Sequence, residues 1–92
     1  MINLSALKEK YPLPPGFAWE INESVFLVGI VDTAKKVEPN ALSFRIWAYH
    51  KTTADGYTYR IRSYSKRRDE VQVSAEDDAL NVVYTRFLLG EY

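Results

Sequence analysis

The side chains best equipped for molecular recognition gather between positions 45 and 68. They are Arg45, Trp47 and Tyr49, then Arg60, Arg62 and Tyr64, then Lys66, Arg67 and Arg68. Within the first two groups the spacing is two, the period at which a β-strand returns side chains to one face. Two such strands paired as a hairpin set Arg45, Trp47 and Tyr49 beside Thr58, Arg60, Arg62 and Tyr64. Planar guanidinium groups beside aromatic rings can stack on bases, pair with phosphates or anchor a protein interface, where Trp, Tyr and Arg carry most of the energy. The bland alternative is scaffolding. Aromatic residues favour strands in any case, and Trp47 could instead lie under an N-terminal helix and the Pro12–Pro15 connector.

Catalytic chemistry has little to work with. The single histidine, His50, stands where a strand gives way to a hairpin, and nothing near it marks a nucleophile or an orienting acid. Without cysteine or clustered histidine, a zinc site has no ligands. Glu76, Asp77 and Asp78 read as first-turn helix acids rather than magnesium ligands, because adjacent helical side chains diverge. Glycines at 16, 29, 56 and 90 are too scattered for a phosphate loop; Gly29, inside a strand, marks a bulge or a close approach. The expectation is a chain that is not an enzyme and needs no cofactor or metal. A small enzyme assembled from scattered residues, or completed by a dimer partner, is the weakest alternative.

The elements that would position these residues can be read in order. Leu4–Lys10 forms a short helix with Leu4 and Leu7 on one side. Tyr11-Pro12-Leu13-Pro14-Pro15-Gly16 stops it, since each proline removes a donor and restricts its predecessor. The result is a stiff connector, or a ligand for a proline-binding domain. Phe17–Ile21 alternates as a strand, Asn22–Ser24 turns, and the apolar run Val25–Val31 suggests a strand covered on both faces. After a loop at Lys35–Asn40, Leu42–His50 alternates with Leu42, Phe44, Ile46 and Ala48 opposite the arginine–aromatic set. Asp55-Gly56 marks a hairpin turn, Tyr57–Tyr64 returns, and Val71–Val73 adds a short edge strand. Ser74-Ala75-Glu76-Asp77 has capping-box spacing and opens a helix striped by Leu80, Val83, Tyr84, Phe87 and Leu88, with Gly90 as its left-handed stop.

These elements predict an α+β fold: an antiparallel meander of four to five strands, with an amphipathic C-terminal helix on one face and a short N-terminal helix. The chain reads as a single domain over residues 1–92, with helix and connector at 1–16, sheet at 17–73 and helix at 74–90. At 47% hydrophobic and 14% aromatic it is too apolar for a disordered tail. Charge is uneven within a net of zero: residues 41–68 carry +6, residues 69–92 carry −5 and residues 1–40 carry −1. The molecule should be dipolar unless the fold interleaves these segments. With neither a signal peptide nor an apolar run of about 20 residues, the expected location is the cytoplasm, without a membrane partner. An edge strand or the aromatic face leaves a homodimer open.

The Pro-Leu-Pro-Pro-Gly-Phe-Ala-Trp segment at 12–19, followed by a meander and the amphipathic helix at 75–89, resembles small phage- or prophage-encoded accessory proteins of the anti-CRISPR type. The resemblance covers the general layout of most of the chain, and no functional residue is carried over from it. It implies a viral inhibitor or modulator that acts in the host cell without catalysis, by covering a surface of a host protein or nucleoprotein complex. The order strand, hairpin, short strand and helix from Leu42 to Leu89 also resembles the arm-type DNA-binding domains of phage integrases. That likeness implies direct nucleic-acid binding by the basic strands, against which stand the acidic helix start and zero net charge.

Overall fold

A computed structural model of the chain describes residues 3–22, 27–35, 44–54, 56–64 and 71–92. Helix α1 (Leu4–Lys10) opens on Asn3, whose Oδ1 accepts from the amides of Ser5 at 2.8 Å and Ala6 at 3.4 Å. These are donors that a first helical turn leaves unbonded. The helix ends before the prolines, and the connector that follows is held by side chains in place of a ladder. The Trp19 indole donates to the Tyr11 carbonyl at 2.9 Å, and the Tyr84 hydroxyl donates to the Pro12 carbonyl at 2.7 Å.

Strands β1 (Phe17–Asn22), β2 (Leu27–Asp32), β3 (Phe44–Thr53), β4 (Gly56–Ser63) and β5 (Val71–Val73) form one five-stranded sheet. They lie in chain order and every neighbouring pair is antiparallel. Helix α2 (Glu76–Leu88) packs on β3, β4 and β5, and α1 packs on β1. This is the α+β meander that the periodicities predict. Among the described residues, no helix is long and apolar enough to cross a membrane.

Cross-strand rows define the helix-covered face. One row runs Ile21–Val28–Ala48–Ile61–Val71 through all the strands, and the next runs Trp19–Ile30–Ile46–Ser63. Helix α2 closes over them with Ala79, Leu80, Val83 and Phe87, and α1 contributes Leu7. Fully burying each large aliphatic or aromatic side chain is worth roughly 1.5–3 kcal/mol, so these rows supply most of the fold's stability. Trp19, at 4% exposure, is the tryptophan that lies beneath the N-terminal helix and connector. Trp47 is on the other face.

Several local expectations are corrected. The α2 N-cap is Ala75, without a side-chain bond, so Ser74 stands one residue too early to close a capping box. Leu88 is 61% exposed, and Ala79 completes the apolar stripe instead. The β3–β4 hairpin pairs Thr53 with Gly56, which makes Gly56 the first residue of β4 rather than part of the turn. His50 lies inside β3 opposite Tyr59, with ring centroids 5.0 Å apart, and not in the turn.

The largest correction concerns strand register. Ile30 pairs with Ile46, but the next residue, Val31, pairs with Phe44, so β3 carries one extra residue at Arg45. A bulge of this kind reverses the alternation beyond it. Phe44 therefore joins Trp47 over Gly29 instead of sharing a face with Ile46 and Ala48.

Candidate functional site

On the face away from the helices, β3 and β4 bring the sequence-predicted residues together in register. Trp47 stands opposite Arg62, and Tyr49 opposite Arg60. The Tyr64 amide donates to the Arg45 carbonyl at 2.8 Å, which makes odd positions of β3 and even positions of β4 the hydrogen-bonded pairs. The rows extend across the sheet, as Gly29–Trp47–Arg62 and as Leu27–Tyr49–Arg60–Gln72. Each row thus sets one aromatic ring beside one arginine, and successive rows lie about 7 Å apart along the strands.

Trp47, Tyr49, Arg60 and Arg62 are partly buried, whereas Tyr64 at the end of β4 is 51% exposed. The Nε atoms of Arg60 and Arg62 are shielded from solvent. Both side chains therefore lie against the sheet at the root of the guanidinium group. Held in this way, they have less rotamer freedom to lose on contact than extended surface arginines.

The seat of Trp47 is a feature that residue counting missed. A β-carbon built on Gly29 would meet the Ile46 carbonyl oxygen at 2.5 Å, Phe44 Cδ1 at 2.5 Å and Trp47 Cβ at 2.7 Å. Only glycine leaves room there. Phe44 lies 6.4 Å from the Trp47 ring, centroid to centroid, and is itself buried with Val31. Within the apolar run Val25–Val31, residues Val28–Val31 are consequently covered on both faces, as the composition predicts, while Val25 and Phe26 lie outside the described residues. The sequence signal was a lone glycine inside a β-branched run, which pointed to a close approach without naming the approaching group.

Arg45 behaves differently from the other predicted residues. It occupies the bulge and forms an ion pair with Asp32 at 3.7 Å. The Asp32 carboxylate also accepts from the Ala34 amide at 3.0 Å, so Arg45 helps fix the exit of β2. Lys66, Arg67 and Arg68 lie outside the described residues. The cluster that the structure assembles is Trp47, Tyr49, Arg60 and Arg62, with Tyr64 at its margin.

No family model matches the chain, and neither a curated protein nor a solved structure matches it.

Proposed function

We propose that the chain is a non-enzymatic binding protein that lays the helix-free face of its sheet on an acidic surface of a partner protein or nucleoprotein complex. The observation that carries this reading is the cross-strand ladder of Trp47 with Arg62 and Tyr49 with Arg60. Such residues dominate interface energies because each combines a large apolar area with a directed polar contact. The resemblance in sequence layout to phage accessory proteins of the anti-CRISPR type points to the same role: an inhibitor that occupies a host surface and performs no reaction on it.

Capture from host lysate tests the proposal. The wild-type chain should retain a partner in stoichiometric amount, and Trp47→Ala and Arg60→Ala should each weaken capture at least tenfold with the fold intact by circular dichroism. Recovery of no partner, or loss only in unfolded variants, would refute it.

The strand order β3–β4–β5 followed by α2, similar to arm-type DNA-binding domains, favours a second reading in which the same arginines contact phosphates. Titration with short DNA and RNA at two salt concentrations separates the two. Steep weakening with salt marks counterion release from nucleic acid, and absence of binding at low salt removes this reading.

A further inference from the structure

Sheets end in edges, and the two edges here are unlike. At one, β5 has three residues, too short to template another strand. At the other, β1 has six residues, FAWEIN, with no proline, lysine or bulge among them. Proteins ordinarily guard a long edge with such devices, with a charge or with a covering helix; β1 has the charge of Glu20 and the packing of α1.

The hydrogen-bond parity of β1 follows from its first contact. The Gly16 carbonyl accepts from the Thr33 amide at 2.9 Å, so even positions face β2, and Phe17, Trp19 and Ile21 turn their amides and carbonyls outward. Of these groups, the Phe17 amide bonds to the Pro14 carbonyl at 3.3 Å. The others meet no main-chain partner among the described residues. A cleft of about 390 Å³ is lined by Ala18, Trp19, Glu20 and Ile21 of β1 together with Leu4, Val31 and Thr33.

We propose that this edge is a self-association site, at which β1 of a second copy adds antiparallel with Trp19 opposite Trp19 of the second copy. In that register the two Trp19 residues exchange both main-chain bonds, and each Ile21 amide donates to the Phe17 carbonyl of the other copy. Phe17 then faces Ile21 across the junction on the helix-covered side, which continues the apolar row. On the open side Glu20 faces Ala18. Sliding the strands by one residue each would set Glu20 against Glu20, and like charges directly opposed are unfavourable. Self-complementarity in hydrogen bonding, apolar rows and charge selects a second copy as the occupant. Because the two-fold axis stands perpendicular to the sheet, both arginine–aromatic faces look the same way.

Sedimentation equilibrium from micromolar to millimolar chain, with three variants, tests this independently of any binding by the open face. Wild type should dimerise. Ile21→Pro removes an outward donor and spares the bonds to β2, and it should leave a monomer that still melts cooperatively. Ala18→Glu should weaken the dimer about three- to tenfold and Ala18→Lys should tighten it by a similar factor, as expected for two symmetric contacts with Glu20. Opposite responses at one position cannot arise from a general folding defect. A monomer at every concentration overturns the proposal and leaves the edge to an extended segment of another protein. A dimer indifferent to Ile21→Pro, or weakened equally by both Ala18 variants, also overturns it.

Discussion

A methyl group is the smallest addition a side chain can make, and at position 29 it has nowhere to go. The Ile46 carbonyl oxygen, 2.5 Å from where a β-carbon would sit, belongs to the backbone of a central strand and cannot rotate away. Gly29→Ala is expected to destabilise the fold by roughly 1–3 kcal/mol, as overpacking does, despite alanine's lower backbone entropy loss. Thermal denaturation would show it as a clear drop in Tm. The same change should displace the Trp47 indole and shift its fluorescence. From sequence alone, the arginine–aromatic spacing was enough to place Trp47, Tyr49, Arg60 and Arg62 on one face, because the hairpin between them is short. It could not show that Arg45 turns to Asp32. That pairing depends on where β2 ends, twelve or so residues earlier in the chain.

Helix ends divide into those that local chemistry fixes and those that neighbours decide. At the close of α2, Gly90 adopts φ +75°, its amide bonds to the Phe87 carbonyl at 3.0 Å, and the Glu91 amide reaches the Arg86 carbonyl at 2.9 Å. This Schellman closure needs a left-handed residue, which only glycine adopts cheaply. Gly90→Ala should therefore lower stability by about 1 kcal/mol, measurable by urea denaturation. Ser74→Ala is expected to change it by under about 0.5 kcal/mol, because Ser74 caps nothing. Loss of a working N-cap would instead remove about 1 kcal/mol. The glycine was legible because its requirement is intrinsic. The serine misled because β5 and the bend after it place the helix start one residue later than the motif implies. The bulge in β3 was illegible for a related reason, since register belongs to a pair of strands and not to either sequence.

At the scale of the molecule, parts distant in sequence hold the proline connector in place. Tyr84, near the far end of the chain, donates to Pro12 at 2.7 Å, and its ring lies 5.0 Å from that of Tyr11. Tyr84→Phe keeps the ring and deletes the bond, and should lower stability by about 0.5–1.5 kcal/mol in chemical denaturation. The two α-helices, a sheet of four to five strands and its meander order followed from periodicity and proline placement, since a meander asks only that each strand pair with the next. The two tryptophans add something practical. One indole is sealed in the interior with its N–H bonded to Tyr11, while the other rests on Phe44 and Gly29 on the opposite side of the sheet. The chain therefore carries two separate optical reporters. In a Trp47→Phe background the remaining indole follows unfolding and pairing at β1, and in wild type any ligand of the arginine-bearing surface should register as a change in the second signal without disturbing the first.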